Sequence, residues 1–247
     1  HKKNKQSHSI LRKCDFEDLQ ELKLIEKIFL KKKIFLFDCG SNFGFYSLFV
    51  ASLSHNNKIF SFEASPTTYE DFKENIKLNN FKNIKPFNVV VSDIKKSEAD
   101  FLESENDWES SLSNKNFKVL KSTKIESTSL DYILENQNDN FFDYEVIIKL
   151  DVEGHEMNIL KGASKLIKNF SPIIIIEFSK FIKDDDYKSM RKFLYENDYL
   201  IYDPSYKEIT LDTVINRLNN LPQNMYAIGN NFLIKKDVNI NNIIKNA

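Results

Sequence analysis

Apolar residues recur at Phe16, Leu19, Leu22, Ile25, Ile28 and Phe29, the spacing of one buried helix face, and Asp15 stands where an N-cap belongs. The rhythm then changes. Residues 34–37 form a short continuous apolar run that predicts a strand ending at Asp38, and 45–53 reads as a helix. A second strand is expected over 58–63, and Ser65 before Pro66 opens a helix to about Asn79. A third strand is expected over 84–91. Residues 97–130 break the alternation: they are rich in Ser, Glu and Lys, carry the sole tryptophan, Trp108, and predict strands near 98–103 and 117–126. That stretch reads as an inserted hairpin over one end of a sheet. Alternation resumes with a strand over 144–150, a helix over 154–170 and a strand over 172–178. A helix near 185–197 and strands near 199–203 and 225–234 follow.

Strands that are apolar through their length and separated by helices predict an α/β fold. The expected form is a doubly wound, mostly parallel sheet with helices on both faces, an N-terminal helix and the inserted hairpin. Residues 1–14 read as a polar tail or linker, and 15–247 as a single domain. Such sheets bind ligands beyond the carboxyl ends of their strands.

Composition narrows the classes. Hydrophobic residues make up 41% of the 247 and aromatics 13%, which argues against disorder across the whole chain. Basic residues number 35 against 36 acidic ones, so there is no basic excess to neutralise phosphates, and nucleic acid is not expected as a partner. No apolar run reaches the roughly 18 residues a membrane span requires. The start, HKKNKQSH, lacks the apolar stretch of a signal peptide, and Cys14 and Cys39 make no disulfide framework. The expectation is a cytoplasmic protein, and the His1 start is that of an excised domain or a tag remnant. Abundant Lys, Asn, Ile and Phe fit an AT-rich bacterial genome. Only five glycines occur where average usage would give roughly 17, so each should mark a required conformation.

Chemistry-bearing residues gather at the predicted strand ends. In the turn Asp38-Cys39-Gly40-Ser41-Asn42-Phe43-Gly44, two glycines allow a tight exit and a close approach at a helix start that favours a carboxylate or phosphate. The pattern is not G-x-G-x-x-G, which disfavours a dinucleotide. Glu63, twenty-odd residues after Gly40, can accept from both hydroxyls of a ribose. Together these point to a nucleoside-containing cofactor across the first two strand ends. Ser92 and Asp93, ending the third strand, offer either a contact to the adenine edge or a simple turn. The run KLDVEGHE, residues 149–156, brings Lys149, Asp151, Glu153, His155 and Glu156 to one sheet edge, and Glu177 ends the next strand. Lys149 reads as a partner for a neighbouring carboxylate, and the lysines at 31–33 as a solvated face.

The stretches FDCGSNFGFYS, FEASPTTYEDFKENIKLNN, VVSD, STSLDYIL, IIKLDVEGHEMNILKGA and PIIIIEF resemble, in that order, the FkbM-type family of S-adenosylmethionine-dependent methyltransferases. They span roughly residues 34–178. Cys39 and Ser41 stand where such turns more often carry Val/Ile and Ala, and Ala64-Ser65 replaces Pro-x before Pro66. The resemblance implies a Rossmann-like methyltransferase sheet. It implies that Asp38, Gly40, Ser41, Asn42 and Gly44 hold the methionine moiety, Glu63 the ribose, and Ser92 with Asp93 the adenine side. It places Asp151 and Glu153 beside the sulfonium and the acceptor, which in this family is typically a hydroxyl of a sugar or another secondary metabolite. A nucleotide sugar or surface-polysaccharide precursor is the acceptor expected.

A hydroxyl acceptor needs a base. His155 is the candidate by pKa, and Asp151 or Glu153 could do the same work. Asp151, Glu153, Glu156 and Glu177 could instead hold Mg²⁺, a reading that is not favoured. Trp108 with Ser110 and Ser111, together with Glu177, would meet the acceptor, or Trp108 simply packs the hairpin on the sheet edge. Two rivals stand beside an O-methyltransferase: a nicotinamide-dependent oxidoreductase, and a non-catalytic cofactor-binding domain of a larger synthase.

Overall fold

The computed structural model describes residues 19–104, 119–137, 140–180, 184–223 and 225–244. The chain runs α1 (Leu19–Phe29), β1 (Lys33–Cys39), α2 (Phe45–Leu53), β2 (Lys58–Phe62), α3 (Pro66–Leu78), β3 (Ile84–Phe87), β4 (Val90–Val91), β5 (Lys96–Ser104) and β6 (Val119–Thr128). There follow α4 (Leu130–Glu135), β7 (Tyr144–Leu150), α5 (Glu156–Lys161), α6 (Ser164–Phe170), β8 (Ile173–Ser179), α7 (Asp184–Glu196) and β9 (Tyr199–Tyr202). The chain closes with β10 (Glu208–Ile209), α8 (Leu211–Asn219), β11 (Ala227–Lys235) and α9 (Ile240–Ile244).

Eight strands form one sheet in the order β10-β9-β11-β8-β7-β1-β2-β3. Neighbours from β8 through β3 are parallel, and β11 lies antiparallel between β8 and β9. The chain leaves β1 towards β2 and β3, then returns to the other side of β1 with β7. The β1/β7 boundary is therefore the switch point at which such sheets open a crevice.

The central strands are buried on both faces, which is why they read as continuous apolar runs. Phe35, Phe37, Val146, Ile148, Ile174 and Ile176 face the side covered by α4 to α8. Ile34, Leu36, Ile147, Ile173 and Ile175 face α1, α2, α3 and α9. Among the described residues no helix is long and apolar enough to cross a membrane.

Two expectations change, and the expected hairpin is found in a small sheet of its own. The strand predicted over 84–91 is broken at Asn88, whose Nδ2 donates to the carbonyls of Glu63 and Ala64 at 2.8 and 3.1 Å. Ile84–Phe87 stays in the large sheet, while Val90–Val91 joins β6 and β5 in a separate three-stranded sheet. The hairpin expected over 97–130 pairs antiparallel as β5 and β6 in that small sheet. The helix predicted over 154–170 is two helices that meet at Gly162 and Ala163. There the carbonyl oxygen of Ser92 would lie 2.2 Å from any Cβ on Gly162, so only a glycine passes. Four short elements, α4, β10, α8 and α9, are additions to the predicted set.

Candidate active site

Period-two alternation puts Asp38 on the α2 face of β1, in register with Ser61 of β2 and Lys149 of β7. Three adjacent strands thus end in one buried polar row, with Asp38 1% and Lys149 3% exposed. Helix α2 closes over it: Ser47 Oγ donates to Asp38 Oδ2 at 2.5 Å and meets Ser61 Oγ at 2.7 Å. Burial raises the Asp38 carboxyl above the usual aspartate range, opposed by the Lys149 charge and the Ser47 hydrogen bond. The other oxygen of Asp38, Oδ1, and the Oγ of Ser41 are buried and meet no hydrogen-bond partner among the described residues.

The turn leaving β1 takes left-handed backbone at Gly40 (φ 76°), Asn42 (φ 51°) and Gly44 (φ 91°). At Gly40 a Cβ would fall 1.9 Å from the backbone oxygen of Asp151, so glycine is required there by space as well as by φ. Glu63 holds the turn from outside. Its Oε2 accepts from Asn42 N and its Oε1 from Ser65 N, both at 2.8 Å. Burial pushes its carboxyl up to about 7 despite those N–H groups and that of Ala64. Gly44 gives the start of α2 no side-chain cap.

The second arm is the turn after β7. Its backbone is tied to β1 by Asp151 N donating to the Cys39 carbonyl at 3.2 Å. Lys149 Nζ pairs with Asp151 Oδ2 at 2.6 Å and stands 4.9 Å from the centre of the Tyr46 ring. Glu153 (φ 53°) and Gly154 (φ 91°) reverse the chain over Glu156. The buried Oε1 of Glu156 accepts from Gly154 N at 3.1 Å and Val152 N at 3.4 Å. Its carboxyl is also pushed to about 7 by burial. One oxygen each from Asp151, Glu153 and Glu177 lie within 4.8 Å of one another. Burial, then the charges of Asp151 and Glu153, push the Glu177 carboxyl well up. Carboxylates that gather in this way are common without an ion, and none is assigned to them. Beside them a small cleft lies between this turn, the end of β8 and α7, lined by Met157, Phe178, Tyr187 and Met190 among others.

His155 points elsewhere. Its Nε2 lies 3.0 Å from Ser92 Oγ and its Nδ1 3.0 Å from Asn158 Nδ2. Ser92 Oγ donates to Asp93 Oδ1 at 3.0 Å. Burial lowers the imidazole's pKa against the raising charges of Asp93 and Asp186, with Lys161 lowering it further.

The structure therefore joins Asp38, Gly40, Ser41, Asn42, Gly44 and Glu63 in one cradle, and Asp151, Glu153 and Glu177 in a second group tied to it through Lys149 and the Asp151–Cys39 backbone bond. Ser92, Asp93 and His155 form a third. Trp108, Ser110 and Ser111 lie outside the described residues. Sequence reasoning passed over Ser47, Ser61 and Tyr46. Their signal is polar atoms inside otherwise apolar elements, visible only once three strands are set in register.

Comparison with known proteins adds the following. The family model of the methyltransferase FkbM domain matches residues 38–201. A methyltransferase FkbM from Methylobacillus flagellatus is similar at 15% identity and a TM-score of 0.47, over 72% of this chain and 42% of that one. The chain thus spans less than half of that protein. A Streptococcus mutans protein assigned as a methyltransferase, in complex with SAH, is similar at 10% identity and a TM-score of 0.50, over 90% of this chain and 98% of that one. A SAM-dependent O-methyltransferase from Thermotoga maritima is similar at 8% identity and a TM-score of 0.45, over 90% and 66% of the respective chains. No curated protein matches the sequence.

Proposed function

Since the chain belongs to the methyltransferase FkbM domain family, we propose that it transfers a methyl group from S-adenosylmethionine to a hydroxyl of a sugar or glycan. One observation carries the cofactor part. Among the described residues, Asp38 Oδ1 and Ser41 Oγ are buried polar atoms without partners, at a turn that leads into an uncapped helix start. Buried polar atoms of this kind call for a ligand or solvent to satisfy them. The amino-acid end of the cofactor has the matching chemistry, an ammonium that donates and a carboxylate that suits helix N–H groups. Bound there, the cofactor supplies an activated methyl on a sulfonium.

The chain's own residues do the rest. Asp38, Gly40, Ser41, Asn42 and Gly44 form the cradle for the methionine moiety. Glu63 keeps a second lone pair on each oxygen for the ribose hydroxyls, since each accepts one N–H already. Ser92 and Asp93 border the adenine. On the acceptor side, Lys149 fixes the Asp151 carboxylate, and Asp151 or Glu153 takes the acceptor's proton. A positioned base of this kind contributes about 10²–10⁴-fold. Glu177, its carboxyl raised, offers the acceptor a hydrogen-bond donor. The hairpin of 97–130 with Trp108 and Ser111 would complete an acceptor wall suited to a nucleotide sugar.

Calorimetry against S-adenosylhomocysteine, paired with a mass-shift assay over nucleotide sugars, tests this reading. Absence of binding overturns it. Of Asp151→Asn and Glu153→Gln, the variant that removes the base should lower kcat about 100-fold or more. Turnover should persist in EDTA; loss that Mg²⁺ restores would replace the base with a metal on the acidic group.

A further inference from the structure

A short chain of hydrogen bonds has one direction only. The Asp93 carboxylate accepts, so the Ser92 hydroxyl donates its single proton to Asp93 Oδ1 at 3.0 Å. His155 Nε2, 3.0 Å from Ser92 Oγ, is then the donor to that oxygen, and in a neutral ring the proton is on Nε2. The relay runs one way, from His155 through Ser92 to Asp93, and it commits Nε2 to Ser92. The Asn158 amide nitrogen, 3.0 Å from Nδ1 and 3.5 Å from Nε2, lies over the face of the ring.

A second contact holds the same turn. His155 stands at the N-terminal boundary of α5 and Gly162 at its C-terminal one. The missing side chain of Gly162 lets the helix end pack on the Ser92 backbone oxygen, where a Cβ would come within 2.2 Å. Helix α5 thus grips the exit of β4 at both ends, by a hydrogen bond to the Ser92 side chain and by close packing on its carbonyl.

We propose that His155 is a positioning residue that holds the Ser92–Asp93 turn in shape for an adenine ring, and that it does not act as the base. This rests on the cofactor reading above. Desolvation of the ring agrees with a neutral imidazole, and the charged groups that face it are Asp93, Asp186 and Lys161.

The test uses the full chain. Nitrogen-15 correlation spectra at pH 7 should show His155 neutral with the proton on Nε2, with or without ligand. Calorimetry with S-adenosylhomocysteine, and with adenosine as the probe that lacks the methionine end, reads the turn. His155→Phe should weaken both about tenfold, the effect of one lost hydrogen bond of ordinary strength. His155→Gln, whose amide still donates to Ser92, should stay within about threefold, a rescue that a base role would not allow. Should His155→Phe fail to fold, Ser92→Ala removes the acceptor from the other side and should weaken adenosine to the same extent. An imidazolium, or a proton on Nδ1, in the wild-type chain overturns the proposal, as does unchanged adenosine affinity in Ser92→Ala. If the wild-type chain shows the expected tautomer but binds neither ligand, the methyltransferase reading fails and the adenine assignment falls with it. If it binds both and the tautomer is reversed, the positioning proposal fails while the methyltransferase reading stands.

Discussion

Glu63 is a carboxyl whose environment works in two directions. Backbone N–H groups of Ser65, Asn42 and Ala64 favour its charged form, yet burial outweighs them and its pKa rises to about 7. A group raised in the folded state contributes stability that is complete below its unfolded value near 4.5 and is lost as pH climbs through the folded value. The ligand-free chain should therefore lose roughly 3 kcal/mol of stability for this residue between about pH 4 and pH 8, and Glu156 should behave alike. Denaturant midpoints across that range check it, and Glu63→Gln should remove its share of the slope. Ribose hydroxyls donating to Glu63 favour the carboxylate, so S-adenosylhomocysteine should release about half a proton on binding at pH 7. Heats of binding that do not vary with the buffer's ionisation enthalpy would contradict this. At Gly40 the limit is steric. An added Cβ meets a backbone oxygen that cannot turn aside, so Gly40→Ala should abolish S-adenosylhomocysteine binding and cost about 2 kcal/mol or more.

Elements were legible in the sequence where apolar periodicity was long, and misread where a single long-range contact overrode it. The periodicity of 154–170 is continuous, but the chain cannot pass Ser92 as one straight helix, so it breaks at Gly162. Asp131 makes the break affordable: its carboxylate accepts from Ser164 Oγ, Lys165 N and Leu166 N at 2.9–3.0 Å, capping the second helix from a different element. Asp131→Ala should cost about 1–2 kcal/mol, the range of a lost cap, read as a fall of several degrees in Tm. An unchanged Tm would show the cap to be idle. Helix α8 had a readable signal that was passed over. Thr210 accepts from Thr213 N, and Leu211, Val214 and Leu218 follow at helical spacing on its buried face. Helix α4 is only six residues long, too short for periodicity to mark it.

At the scale of the whole molecule, a ligand that binds only the folded chain must raise its stability. At about 100 times its dissociation constant, S-adenosylhomocysteine should add about 2.7 kcal/mol, a rise in Tm of roughly 5–10 °C. NAD⁺ at the same concentration should add nothing, and a rise with NAD⁺ alone would favour the oxidoreductase. The sequence by itself determined the doubly wound architecture and the Asp38–Gly44, Ser92–Asp93 and Asp151–Glu156 turns, with Glu63 and Glu177 at two further strand ends. Apolar strand runs and glycine turns are local and survive translation into a string of letters. Tertiary structure alone decided which of those polar groups meet. Lys149 faces Asp38 because β7 returns beside β1 in one register, and Ser61 joins them because β2 lies on the other side. His155 turns to Ser92 rather than to Asp151 because α5 packs against the exit of β4. Side-chain partners more than a hundred positions apart, such as Asp38 and Lys149, are set by sheet order and pleat, and no local pattern records either.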